Sequence, residues 1–191
     1  MSTITKRPAA APRKPASHLE RVKSRKGAAP VAANPNTGKT RLPLKVQSFR
    51  ALLRTARLGE RVQIERDGVP YQVVQDLIQG IGVSSTDFQR YVRIPKATFT
   101  KKMKDKSLFA GTPGQSVVGL MELINKVEDM LAAERDNPEA ADFDVEKWVG
   151  TWIERPQPAL GGLAPAELMD TPSGRESVMR VLGAIQSGAY Q

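Results

Sequence analysis

The chain of 191 residues contains no cysteine, which excludes disulfides, thiolate metal sites and cysteine nucleophiles and fits a reducing compartment. His18 is its only histidine and lies in a basic, proline-rich stretch, so neither a histidine-based triad nor a multi-histidine metal site can be assembled. Aromatic residues make up 5%, and any core must therefore rest on Leu, Ile, Val and Met. No apolar run approaches the roughly 18–20 residues of a membrane helix. Ala9-Ala10-Ala11 is too short for a secretory signal core. These absences predict a soluble, cytoplasmic protein with no membrane partner. They leave no cofactor or metal site and no nucleophile and base that would make it an enzyme.

Acidic residues are also nearly missing from one end. Residues 1–43 hold ten Lys/Arg and one acid, Glu20, for a net charge of +9. Residues 44–83 carry six bases and four acids, residues 84–106 seven and two, and residues 107–191 six and thirteen, or +2, +5 and −7 in turn. A chain that is basic, basic and then acidic points to two different partners.

The first segment, 1–43, is rich in Ala, Pro, Lys, Arg and Ser, and burial of so few large apolar groups cannot offset the entropy of ordering it. It is predicted to be a disordered basic tail able to touch DNA phosphates. Its "ANPNTGKT" ends like a phosphate-binding loop, but Ala33 stands where that motif needs its first glycine, no strand precedes it and Pro43 follows. No nucleotide site is assigned there.

Folding is predicted to begin near Leu44. "SFRALLRTARLG" reads as a helix capped by Ser48 and stopped at Gly59. "RVQIERDGVP" fits a hairpin or a short helix ending at Gly68, and its helical surroundings favour the helix. "VPYQVVQDLIQGIG" puts Val73, Val74, Leu77 and Ile78 on one helical face. In "VSSTDFQRYVRIPKATFTKKMKDKS", Ser84 or Ser85 caps a short helix carrying Phe88, Tyr91 and Val92 inward, the chain breaks near Arg93-Ile94, and Pro95 opens a basic helix. Two short helices joined by a tight turn, the second one basic, describe a helix-turn-helix. Lys96, Ala97, Thr98 and Thr100 would then face base edges, with Lys101, Lys102 and Lys104 on phosphates. Gln89 and Arg93 occupy the places where a small residue and a turn glycine are usual.

The acidic part opens with a long amphipathic helix through Val117, Leu120, Met121, Ile124, Val127 and Leu131 that is predicted to stop by Asn137-Pro138. "DNPEAADFDVE" is acid-rich but lacks the glycine and the ligand spacing of a calcium loop. A helix capped by Asp144 follows, with Trp148 and Trp152 one turn apart. Both indoles are read as core, with a protein contact as the alternative. Pro156 and Pro158 stop that helix, Gly161-Gly162 permits a tight reversal, and "LAPAELMD" makes a short turn with Leu168 and Met169 facing in. The last helix has Thr171 as N-cap, Pro172 in its first turn, an apolar face of Val178, Val181, Leu182 and Ile185, and Gly188 just past its end.

"WIERPQPALGGLAPAELMDTPSGRESVMRVLGAIQSGAY" resembles the C-terminal domain of Xre/MbcA/ParS-type antitoxins: Trp152, the run Pro156 to Gly162, the turn Pro165 to Leu168 and the end Gly188 to Tyr190 stand at that family's spacing. The helix-turn-helix region resembles the family's Xre-like domain, so the likeness covers about residues 58–191 and leaves the tail outside. The resemblance implies an all-α antitoxin of a type II toxin-antitoxin system. Its parts would be a tail at 1–43, an Xre-like DNA-binding domain at 44–110 and a toxin-binding domain at 111–191. It further implies a homodimer that represses its own operon at operator DNA and inhibits a cognate RES-domain toxin that uses NAD. Toxin-contacting candidates carried over are Trp152, Pro158, Leu160, Gly161, Gly162, Gly188, Ala189 and Tyr190, the last three forming a plug for the toxin's active site. The competing reading is a plain helix-turn-helix regulator or nucleoid-type DNA-binding protein whose acidic domain only oligomerises.

Overall fold

The computed structural model describes residues 42–133 and 142–188. Over them the chain is all-α: α1 Val46–Thr55, α2 Leu58–Asp67, α3 Tyr71–Ile81, α4 Ser85–Tyr91, α5 Lys96–Lys104, α6 Thr112–Ala133, α7 Val145–Trp152 and α8 Pro172–Gln186, with two 3-10 turns at Pro158–Leu160 and Pro165–Glu167. Residues 1–41 of the basic tail with its Gly-Lys-Thr motif, the stop at Asn137-Pro138 and the residues Ala189 and Tyr190 lie outside the described residues, whereas Leu42, assigned above to the tail, packs half-buried against the core. No described helix is long and apolar enough to cross a membrane.

α1 starts earlier than the sequence suggested. Val46 belongs to the same buried face as Phe49 and Leu53, so packing extends the helix past Ser48, which sits exposed inside it instead of capping it. Gly59 is not the stop either. The chain breaks at Ala56 and Arg57, both extended, and a 2.8 Å bond from the Arg57 N–H to Glu60 Oε2 begins α2, in which Gly59 is the second residue. α2 runs as the helix favoured above and ends at Gly68, whose φ of 93° suits glycine. A Cβ at Gly68 would meet the Phe109 carbonyl oxygen at 2.5 Å, because Val69 and Phe109 exchange backbone hydrogen bonds of 2.8 and 2.7 Å beside it.

α3 packs against α1 and α7, and α6 against α1, α7 and α8. The α3–α7 crossing is close enough to need glycine: a Cβ on Gly150 would lie 1.9 Å from the Ile81 carbonyl oxygen. Asp144 caps α7 by accepting from the Lys147 N–H at 3.1 Å, and Thr171 caps α8 by accepting from the Gly174 N–H at 3.1 Å. Met121 is fully buried core, as its place on α6 suggested. Ile185 departs from the expected apolar face. Val178, Val181 and Leu182 are buried, whereas Ile185, in the last turn of α8, stands 36% exposed. Phe49 and Leu77 from the first helices share one buried cluster with Leu123 and Trp152 from the last, so 44–110 and 111–191 rest on a common core.

That core is locked by a buried ion cluster. Arg50, 4% exposed on α1, donates from Nε to Asn125 Oδ1 at 2.9 Å and from Nη1 to Glu146 Oε1 at 2.7 Å, and its Nη2 pairs with Glu128. The Asn125 amide returns a bond to the Arg50 carbonyl at 3.2 Å. Gly80 on α3 makes room for the cluster, since a Cβ there would strike Glu146 Oε2 at 1.9 Å.

Candidate functional site

Two exposed features sit on this frame. The first is the α4–α5 pair. The Ser84 hydroxyl accepts from the Asp87 N–H at 3.1 Å and caps α4. Phe88 on α4, Phe99 on α5 and Phe109 beyond it meet in sequence as tilted pairs, with ring centroids 6.3 and 5.7 Å apart and planes 56° and 54° apart. Aromatic contacts of this kind contribute about 0.5–1.5 kcal/mol each beyond burial, and here they fix how α5 stands on α4. With Phe99 turned inward, Lys96, Ala97, Thr100, Lys101, Lys104 and Asp105 line a shallow open face on the other side of α5. Thr98 is exposed but off that face. Lys102 is half-buried, its Nζ donating to the Leu108 carbonyl at 2.7 Å and lying 5.6 Å from the Phe109 ring centroid. Among the described residues Lys96, Lys101 and Lys104 form no ion pair.

Arg93, standing where a turn glycine is usual, has the conformation that glycine would supply, φ 49°. A left-handed non-glycine residue costs about 1–2 kcal/mol, so the turn keeps its shape despite the sequence departure. Its guanidinium reaches Asp170 at 3.1 Å.

The second feature is the segment 154–170, which closes on itself. The Gln157 N–H donates to the Leu163 carbonyl at 3.0 Å, and the Gly162 N–H donates back to the Gln157 carbonyl at 3.1 Å. Between them Pro158 starts the 3-10 turn, and Gly161 (φ 68°) and Gly162 (φ 83°) reverse the chain in two successive left-handed steps. The Ala166 N–H bonds the Ile153 carbonyl at 2.9 Å and ties the loop to the end of α7. Pro158, Gly161, Gly162 and Leu163 are exposed and Leu160 is half-buried. Trp152 is buried beneath, 6% exposed, and stacks on half-buried Trp148 at 5.6 Å with the rings 11° apart. The loop packs on α8, whose C-cap Ser187 is followed by exposed Gly188 with φ 68°. Replacing Gly161 or Gly162 by Ala is expected to cost about 1–2 kcal/mol through backbone strain alone, because no atom lies within 4 Å of a Cβ at either place. Denaturant unfolding of each variant checks this, and unchanged midpoints would show that the reversal does not depend on glycine.

The two features touch. The Tyr91 hydroxyl donates to Glu154 Oε1, which also accepts from Arg90 Nη2 at 2.8 Å. Burial first, and then the Glu154 carboxylate, push the Tyr91 phenol well above its ordinary value. Hydrogen bonds to Glu154 and then Asp87 push Arg90 up as well, so both donors keep their protons throughout the working range. A cleft of about 500 Å³ lined by Gln89, Arg90, Arg93, Pro95, Ala166 and Glu167 separates the start of α5 from the second 3-10 turn. Nothing in the local sequence pattern pointed to these pairs, whose members stand 63 and 77 positions apart, although an arginine at a glycine position was a hint. Among the described residues no group of three His, Cys, Asp or Glu side chains is placed to hold a metal ion.

Residues 143–188 match the family model for the antitoxin Xre/MbcA/ParS C-terminal toxin-binding domain, which spans α7, the closed loop and α8. Over 143 residues, 75% of this chain and 87% of the relative, the sequence is 30% identical to the Prs ADP-ribosylating antitoxin of Sphingobium sp. strain YBL2. Over 125 residues, 65% of this chain and 77% of the relative, it is 22% identical to the Antitoxin Xre of Photorhabdus laumondii subsp. laumondii. Alignments of that length reach into the helices that precede the matched domain.

Proposed function

The chain belongs to the Xre/MbcA/ParS-type antitoxins, and from that premise we propose that it grips a RES-domain, NAD-using toxin with residues 143–188 and represses its own operon through α4 and α5. The observation that carries the toxin half is the closed loop. Pro158, Leu160, Gly161 and Gly162 present an exposed surface whose backbone is already fixed, on the segment matched as toxin-binding, with Gly188 at the far end of the helix it supports. A preformed surface binds without the ordering cost a flexible one incurs. In this reading Trp152 acts through packing under the loop. Gly188, Ala189 and Tyr190 block the toxin's active site. The chain acts by occupation, with no cofactor and no reaction of its own. The name of the Sphingobium relative couples an antitoxin to ADP-ribosylation, a reaction that takes its ADP-ribose from NAD, and this supports an NAD-using partner. The test is a pull-down from the native host with the tagged full-length chain, followed by an assay of NAD consumption in the partner after release. Recovery of DNA without a stoichiometric protein partner would favour a plain DNA-binding regulator.

The DNA half is supported by the unpaired ammonium groups on the open face of α5. As a homodimer, the protein would set two such helices into successive major grooves of a near-palindromic operator. Each lysine withdrawn from a phosphate should reduce the slope of log K against log salt by about 0.9. Lys101→Ala and Lys104→Ala are expected to show that drop for every sequence tested, and Lys102→Ala much less, because its ammonium already holds Leu108. Thr100→Val should act on operator preference instead, and Thr98→Val, off that face, should leave it unchanged. A salt series in which all these variants match wild type would sink the groove assignment.

A further inference from the structure

The loop that presents the toxin-binding surface does not stand on its own helices alone. Its two ends are both carboxylates, Glu154 before Pro156 and Asp170 before the α8 cap, and both are held by donors from the helix-turn-helix. Glu154 takes the Tyr91 hydroxyl and Arg90, while Asp170, 16% exposed, takes Arg93 from its left-handed turn position. The other charged groups nearby are Asp87, which shares Arg90, Glu167, whose carboxylate accepts from the Ala164 N–H at 2.9 Å, and Arg175, which bonds the Met169 carbonyl at 3.1 Å. Tyr91 is almost fully buried, so its hydroxyl has one direction to point, and that direction is the start of the loop. Arg93 could be glycine as far as the turn is concerned. As arginine, its side chain 72% exposed, it also pairs with Asp170 at the other end.

We propose that Tyr91 and Arg93 are positioning residues for the toxin-binding surface: they clamp Glu154 and Asp170 and so set the angle at which the loop 156–163 and the start of α8 meet the toxin. This rests on the function proposed above. None of the four residues need touch the toxin.

The experiment uses the full-length protein with Tyr91→Phe, Asp170→Asn, the two combined, and Glu154→Gln, which keeps an oxygen for the Tyr91 hydroxyl. Backbone hydrogen exchange is read first, without any partner. The amides of Gln157 and Gly162 should lose protection about tenfold in Tyr91→Phe and in Asp170→Asn, while those of α6 stay as in wild type. Dissociation of the captured toxin is read second. It should be about tenfold faster in each single variant and less than a hundredfold faster in the double variant, since both changes release one clamp. Operator affinity should stay within twofold, and Glu154→Gln should dissociate more slowly than Tyr91→Phe. Unchanged exchange at Gln157 and Gly162 overturns the proposal whether or not a toxin binds. Equal losses of toxin binding, operator affinity and melting temperature also overturn it, because they mark general destabilisation. A wild-type protein that retains no toxin defeats the functional reading, while the exchange result still decides the clamp.

Discussion

Arg50→Met is expected to destabilise the fold by about 3–5 kcal/mol, the usual loss when one partner of a buried ion cluster is removed. Methionine fills the volume but leaves Glu146, with its side chain 18% exposed, and Asn125, 6% exposed, without their donor. The loss falls on the junction of α1, α6 and α7, against which α3 and α8 also pack. Against a total of roughly 5–15 kcal/mol for an ordinary domain, much of the protein would be unfolded on mild heating, which thermal and denaturant unfolding would read directly. The acid flank of the stability curve gives a second signature. Burial opposes ionisation of Glu128, but hydrogen bonds from Arg50 and Arg54 outweigh it and hold the carboxyl below its ordinary value. A carboxylate depressed in the folded state stabilises above its unfolded pKa, and that contribution fades as pH falls from about 4.3 through the lower folded value. In Arg50→Met this part of the acid dependence should flatten. A variant as stable as wild type, with an unchanged acid flank, would show that α1 is held by apolar packing alone.

Features that depend on neighbours in the chain were legible in the sequence. Ser84, Asp144 and Thr171 cap their helices because a side-chain oxygen three residues before an unpaired N–H needs no distant partner. Gly161 and Gly162 could be read as a reversal for the same reason. The start of α1 could not be read, because Val46 was claimed by a core assembled from α3 and α6 and that packing overrode the local signal of Ser48. Lys102 illustrates the limit for the side chains expected to face DNA. Periodicity grouped it with Lys101 and Lys104, but only the fold brings the Leu108 carbonyl and the Phe109 ring to its ammonium. The clamp on Glu154 and Asp170 was invisible for a deeper reason: it joins two segments that each look complete when read alone.

Removal of Gly188 through Gln191 should abolish toxin neutralisation while leaving the fold and operator binding intact. α8 closes its own end: the Ser187 N–H bonds the Gly183 carbonyl at 3.1 Å, and among the described residues cutting after Ser187 removes just the 3.2 Å bond from the Gly188 N–H to the Ile185 carbonyl. Of the described residues only exposed Gly188 is removed, while Val178, Val181 and Leu182, which carry the burial of α8, all remain, so stability is expected to change by less than about 0.5 kcal/mol. Tyrosine is enriched among the few residues that dominate protein interfaces, where truncation costs about 2–4 kcal/mol or more, or roughly thirty- to a thousandfold in affinity. Gly188→Ala separates direction from presence. With φ at 68° and no atom within 4 Å of a Cβ, alanine there meets only about 1–2 kcal/mol of left-handed strain. It either bears that strain or swings the residues beyond it away. Neutralisation by Gly188→Ala should therefore fall between wild type and the truncation, with Tyr190→Ala close to the truncation. The measurement is inhibition of NAD consumption by the freed toxin as each variant is titrated in. Full inhibition by the form ending at Ser187 would mean that the loop and α8 block the toxin by themselves, and the role assigned to Gly188, Ala189 and Tyr190 would fall.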